Sequence, residues 1–275
     1  MARYTSSTLG FPSLSGVTRR LVIVNVVIYF VLLILQQVRG DLATAIYLFL
    51  GLEPVAVAHG YIWQLVTYAF LHPGLMFVLF NMLSLWFIGS FMESEMGGRW
   101  LAEIYFFSVI GAALTAIAIC YARILHLTPI TVTFGSSGGL FGILAALALL
   151  FGDRQFMMFP FPVSIKARNL VLIYLLIALA VLIGSSGAGA LSQLGGALFG
   201  LIYVKTAPRR GLSYAASERY FGVRNSYYRW KRRRAARKFE VYMRKHNRDD
   251  VRFDKEGHYI DPDKGKDPND RRWMN

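Results

Sequence analysis

Six apolar segments dominate the first three quarters of the chain. They lie at about residues 20–38, 74–92, 100–121, 137–151, 168–184 and 189–205. A helix that crosses a bilayer needs about 20 apolar residues, so several of these segments are short and their polar ends should be buried within the protein. The pattern predicts an all-α polytopic membrane protein with a bundle of six transmembrane helices.

The stretches outside these segments have a different character. Residues 1–18 are rich in Ser, Thr and Gly and have no hydrophobic period, so we predict a flexible leader. Residues 41–72 mix apolar and polar positions and contain Gly51, Pro54 and Gly60, which favours an ordered surface loop with short interfacial helices. Residues 160–162 (PFP) are predicted to form a rigid turn at the membrane surface.

The composition agrees with a membrane protein. Hydrophobic residues make up 55% of the 275 residues, and the mean hydropathy is +0.42, which excludes an ordinary soluble protein. The net charge of +14 is concentrated near the C-terminus, where residues 205–275 carry 21 Lys/Arg and 10 Asp/Glu. We therefore divide the chain into a leader at 1–18, a membrane domain at 19–205 and a basic, partly helical or disordered tail at 206–275.

The positive charges also predict an orientation. Placing the N-terminus in the cytoplasm puts the basic tail on the inner side, together with Arg99, Arg154, Lys166 and Arg168. Both termini are then cytoplasmic, and Ser137 starts its helix near the outer side. A short N-terminus without an organelle signal favours a bacterial inner (plasma) membrane.

The basic tail allows two interpretations. It is either a solvated segment or a lipid-facing anchor, since residues 231–234 (KRRR) follow Tyr227, Tyr228 and Trp230. Nucleic-acid binding is not expected, because no recognisable binding fold accompanies the charge. Cys120 is the single cysteine and permits no intrachain disulfide, and the sequence shows no metal constellation and implies no cofactor.

The strongest candidate for chemistry is Ser137, which lies between glycines where a loop becomes an apolar helix. At a helix N-terminus, unpaired N–H groups and the positive end of the dipole could stabilise an oxyanion beside this serine. Gly138 and Gly142 leave one helix face without side chains, so that a second helix could approach closely.

Only one later stretch has a matching form, residues 193–200 (QLGGALFG), with Gly196 and Gly200 four positions apart. A histidine at position 193 would complete a Ser/His dyad. Gln193 occupies that position, and an amide cannot accept the serine proton.

These features resemble the rhomboid family of intramembrane serine proteases over roughly residues 57–205. The segment 63–72 (WQLVTYAFLH) is similar to the family's loop with a Trp-Arg pair and Phe-Leu-His, with Gln64 in place of Arg. Residues 77–81 resemble the family's His-x-x-x-Asn element, with Phe77 in place of histidine. Three further matches are Glu93, residues 135–138 (GSSG) and the stretch at 193–200.

The resemblance implies a six-helix bundle with Ser137 as nucleophile and a membrane-embedded peptide as substrate. It also implies that Asn81 and the Ser137 backbone N–H act as oxyanion donors, whereas Phe77 supplies no donor. The glycines assigned to helix packing are Gly135, Gly138, Gly142, Gly196 and Gly200. His72 matches a family position outside the dyad, for which we expect a structural role.

Three functions stay open. The first is a pseudoprotease that binds transmembrane segments of client proteins, with membrane lipids as its other partners. The second is an active protease that uses Ser137 with an atypical base, for which His126, in the outer loop, is a candidate. The third is a scaffold or transporter-like protein, for which we would expect more polar residues within the spans.

Overall fold

The described residues of the computed structural model are 12–123, 127–158, 163–184, 188–207, 211–246, 252–254 and 257–260. The chain divides into two compact units, Met1–Gly211 and Leu212–Asn275. The leader lies mostly outside the described residues, as do His126 and the predicted turn at 160–162.

The first unit contains ten helices among its described residues. They are α1 (Gly16–Val38), α2 (Gly40–Leu50), α3 (Pro54–Ala58), α4 (Gln64–Thr67), α5 (Leu75–Ser84), α6 (Ser90–Met96), α7 (Gly98–Tyr121), α8 (Ser137–Phe151), α9 (Ala167–Gly184) and α10 (Ala188–Thr206). A π-helical turn, Leu85–Gly89, joins α5 to α6, and a 3₁₀ turn, Tyr68–Phe70, follows α4. These helices coincide closely with the six predicted apolar segments, and α2 to α4 occupy the predicted interfacial loop.

Within the described ranges, three helices are long and apolar enough to cross a membrane, namely Gly16–Val38, Leu75–Met96 and Gly98–Tyr121. Many of their apolar side chains are exposed on the protein, as expected for surfaces that face lipid. The count of six spans stays a prediction, since α8 has only 15 residues.

Helix α8 lies at the centre of the first unit. Its residues 138–147 are all buried, and a helix that is apolar all round is stable only when other elements enclose it. Helices α7 and α10 pack against α8 and against each other. In contrast, α9 exposes most of its large apolar side chains, including Leu172 and Ile177.

Between α8 and α9 the chain forms a short antiparallel hairpin of β1 (Gln155–Met158) and β2 (Val163–Lys166). The hydrophobic pattern of the sequence does not predict these strands. In its described residues, the second unit contains one long helix, α11 (Leu212–Lys245), and a second hairpin of β3 (Arg252–Phe253) and β4 (Tyr259–Ile260).

Candidate functional site

Ser137 is the first residue of α8, and a tight turn places it there. Gly135 has a φ of +113°, which is accessible to glycine at little cost. Its N–H donates to the carbonyl of Tyr68 at 3.0 Å, which ties the turn to the 3₁₀ segment before His72. Gly135 therefore permits the tight backbone turn. It precedes α8, whereas the sequence pattern assigned it to helix packing.

The glycines of α8 bring neighbouring backbones into contact. A Cβ atom at Gly138 would lie 2.5 Å from Cβ of Ala112 in α7, and one at Gly200 would lie 2.5 Å from the Gly142 carbonyl oxygen. A Cβ at Gly196 would overlap the carbonyl of Gly138. Side chains at these positions would force α7, α8 and α10 apart.

This packing determines where Gln193 of α10 lies relative to the start of α8. The neighbouring Ser192 is buried, and its carbonyl oxygen lies 3.8 Å from the place of a Cβ at Gly138. Residues 192–196 of α10 thus run beside the start of α8, where Ser137 lies. The Gln193 side chain is half-buried, and within the described part of the chain it has no hydrogen-bond partner.

The two candidate residues of α5 differ in their surroundings. Asn81 is half-buried, whereas Phe77 is 61% exposed and points away from the bundle. Among the described residues, neither the Asn81 amide nor the Ser137 hydroxyl makes a side-chain hydrogen bond. The structure therefore leaves the oxyanion role of Asn81 as a prediction.

His72, for which the resemblance implies a structural role, is buried beside the site. Nε2 of His72 is 3.2 Å from Oγ of Ser136, the residue before Ser137. Burial lowers the pKa of His72 to about 4, so its ring is neutral near pH 7. The two residues are 64 positions apart, and no local motif connects them.

Gln64, which stands where the family usually has arginine, is fully buried and links the last turn of α2 to the residue before α3. Its Oε1 accepts from the N–H of Glu53 at 3.0 Å, and its Nε2 lies 3.3 Å and 3.2 Å from the carbonyls of Leu48 and Phe49. An amide supplies both a donor and an acceptor here, which a guanidinium could not.

No group of three or more His, Cys, Asp or Glu side chains within the described ranges could hold a metal ion. At the site itself, Ser137 supplies a hydroxyl at a helix N-terminus and Gln193 supplies an amide on the adjacent helix.

These features define the class of the protein as an integral membrane protein built from packed α-helices, with a half-buried serine at the start of its central helix. A family model described as the Rhomboid domain matches residues 59–210, which is more than half of the chain. The chain belongs to the rhomboid family.

Curated relatives agree with this assignment. Rhomboid protein 1, mitochondrial, of Saccharomyces cerevisiae is 29% identical over 100 residues, which cover 36% of this chain and 28% of that protein. RHOMBOID-like protein 1 of Arabidopsis thaliana is 37% identical over 98 residues, covering 35% and 23%. RHOMBOID-like protein 5 of the same plant is 33% identical over 97 residues, covering 35% and 29%. The matched segments span only about a quarter of the length of these relatives.

Proposed function

We propose that this rhomboid-family protein binds transmembrane segments of client proteins and does not cleave them at an appreciable rate. The observation that carries the proposal is Gln193, which lies on the helix packed against the start of α8, where a base would be needed. Loss of the base of a serine hydrolase costs ~10⁴ to 10⁶ in turnover. Binding of a transmembrane segment does not require that base.

An apolar cleft supports the binding role. It has a volume of about 260 Å³ and lies between α8, α9 and α10. Phe141, one turn after Ser137, lines it together with Tyr174 of α9 and Ala197 of α10. A helix of apolar side chains could bury surface there without leaving a polar group unpaired.

The alternative is an active intramembrane protease that uses Ser137 with an atypical base. The observation in its favour is the neutral His72 ring, which lies next to Ser136. Two facts weigh against it. His72 already pairs with Ser136, and a ring with a pKa of about 4 is a poor proton acceptor at neutral pH.

Labelling by a fluorophosphonate probe separates the two functions. Purified protein would be compared with Ser137→Ala, Gln193→His and the double variant Phe77→His with Gln193→His. We expect no labelling of the native protein and Ser137-dependent labelling only when the histidine at 193 is restored. If the native protein is labelled and Ser137→Ala abolishes the labelling, the protease function is favoured. If His72→Gln also abolishes the labelling, His72 is its base.

Client binding has its own test. Binding of a fluorescent transmembrane peptide to protein in detergent micelles should weaken at least tenfold in Ala197→Trp, which fills the cleft. The matched control is Leu172→Trp, at a position of α9 that is 56% exposed. Equal binding by both variants would reject the cleft as the client site.

We also propose six spans with both termini in the cytoplasm of a bacterial cell. The charge distribution supports this orientation. Labelling of single cysteines at Arg39 and Glu218 with a membrane-impermeant maleimide in intact cells tests it, in a Cys120→Ala background. Only position 39 should react before the cells are lysed.

A further inference from the structure

Helix α11 in the second unit is unusually basic and long. Its 34 residues include 11 Lys/Arg and two acidic residues, Glu218 and Glu240. At 1.5 Å per residue the helix extends about 50 Å. Five residues connect it to α10, the last helix of the unit that carries the membrane-spanning helices.

One side of α11 is covered by the β3–β4 hairpin. The N–H of Phe253 donates to the Glu240 carboxylate at 3.1 Å, and the rings of Phe253 and Phe239 are 6.1 Å apart. Ala236 is buried at this contact, with only 7% exposure. The hairpin thereby defines the covered side of the helix.

The opposite side carries an exposed stripe of apolar residues, which we call the aromatic face. At 100° per residue, Tyr220, Val223, Tyr227 and Trp230 fall within an arc of about 80°, roughly opposite Ala236. All four are more than half exposed. Phe221 and Tyr228, which are 50% and 51% exposed, lie on the adjoining side of the helix, so the aromatic face is the part of the exposed apolar surface that lies opposite the hairpin. An exposed apolar surface of this kind marks an interaction site.

The aromatic face is interleaved with positive charge. The rings of Tyr227 and Trp230 stack at 6.1 Å, and the guanidinium of Arg234 lies 5.5 Å from the centroid of the Trp230 ring. Lys231 and Lys238 line the same shallow groove. Aromatic rings of this kind settle at the headgroup level of a bilayer, and basic side chains beside them bind anionic headgroups.

We propose that α11 lies on the surface of an anionic lipid bilayer, with its aromatic face inserted between the headgroups. The charge is complementary, the exposed rings have the amphipathic character of the interface, and the short connection keeps the helix at a high effective concentration near the membrane. A free polyanion such as RNA would attract the same charge, so RNA is one of the alternatives that the experiments test. The proposal does not depend on whether Ser137 is active.

The test places nitroxide labels on the full-length protein in proteoliposomes. In a Cys120→Ala background, one label replaces Tyr227 on the aromatic face (Tyr227→Cys). The control label replaces Asn225, which is exposed on the opposite side (Asn225→Cys). In vesicles with 30% phosphatidylglycerol, position 227 should become accessible to oxygen and shielded from a nickel complex, whereas position 225 stays aqueous. In pure phosphatidylcholine both positions should stay aqueous.

Charge variants then distinguish binding through the aromatic face from attraction by the net charge of the helix. Each basic residue near an anionic surface favours binding ~5-fold, so three together account for ~100-fold in the bound-to-free ratio. Lys231→Gln, Arg234→Gln and Lys238→Gln combined should cause that loss. Arg229→Gln, Arg232→Gln and Arg233→Gln, an equal charge change on the other side, should cause less than a tenfold loss.

Three results would overturn the proposal. The first is an aqueous label at 227 in anionic vesicles. The second is an equal loss in the two triple variants. The third is shielding of position 227 in neutral vesicles on addition of RNA, which would assign the face to nucleic acid.

Discussion

Nε2 of His72 lies 3.2 Å from Oγ of Ser136, which directly precedes the proposed nucleophile. Both side chains are buried, with 1% and 2% exposure. Together with the bond from the Gly135 N–H to the Tyr68 carbonyl, this contact fixes the loop before α5 to the start of α8. These two contacts help to position Ser137, and neither of them involves α10.

The same histidine should make the free energy of unfolding depend on pH. Burial lowers the pKa of His72 from 6.5 to about 4, so the unfolded chain binds a proton at a pH where the folded protein does not. The contribution of His72 to stability is therefore fully present above pH 6.5 and falls by up to ~3 kcal/mol as the pH drops to about 4, with no further loss from this group below that pH. Denaturant unfolding in detergent at several pH values measures this slope.

The controls for this slope are two glutamine variants. His72→Gln should be less stable than the native protein at pH 7.5 and should lose this part of the pH dependence. His59→Gln, at an exposed position of the same region, should retain it. An unchanged slope in His72→Gln would refute the assignment.

Gly196→Ala should disrupt the central packing. The added methyl group would overlap the backbone of Gly138, and since two helix backbones must separate, we expect a loss of ~2 kcal/mol or more. Gly189→Ala on the same helix is the matched control, because no atom lies within 4 Å of its added Cβ. Thermal unfolding of both variants tests this expectation. Similar melting temperatures for the two variants would contradict the close packing of α8 and α10.

The sequence predicted the helices of the first unit because their signals are local. Helix α8 begins at Ser137 and ends at Phe151, as the Gly-Ser turn and the apolar run indicated. The close approach of α8 and α10 follows from glycines spaced four residues apart. This spacing leaves one helix face without side chains, independently of the sequence elsewhere in the chain.

The remaining contacts could not be predicted because they join distant residues. The sequence around His72 does not indicate its contact with Ser136, and the sequence around Glu93 does not indicate its contact with the start of α1. The resemblance placed Phe77 at the site, yet its side chain is 61% exposed, since an apolar ring gains more from lipid than from a polar cavity. The β1–β2 strands were missed because four-residue strands carry too little pattern to detect.

Gln64→Ala should destabilise the loop that precedes α5. The variant leaves the N–H of Glu53 and the carbonyl of Leu48 without this partner, whereas the Phe49 carbonyl still accepts from Nε1 of Trp63. Each group that loses its partner at this partly buried site costs about 1 kcal/mol or more. We expect a loss of ~2 kcal/mol in unfolding, with faster proteolysis within residues 48–64. Gln37→Ala, at an exposed position on α1, should change neither. Equal effects of the two variants would contradict this role for Gln64.

Glu93 caps a helix to which it is not adjacent in sequence. Its Oε1 accepts from the N–H of Val17 at 2.7 Å, and its Oε2 accepts from the N–H and the hydroxyl of Thr18 at 2.9 Å and 2.7 Å. Ser15, at the N-cap of α1, makes no side-chain capping bond, so the carboxylate satisfies these donors from α6. A negative charge at this position also complements the helix dipole.

Glu93→Ala should therefore detach the start of α1 from α6 and cost ~2 kcal/mol, since charge-assisted capping bonds are lost at a partly buried site. Glu95→Ala, two positions along and exposed, removes the same charge without the contact and is the matched control. Hydrogen exchange at Val17 and Thr18 should accelerate only in Glu93→Ala, because those two amides lose their acceptor. If exchange there is unchanged while global stability falls, the carboxylate stabilises the bundle by another route.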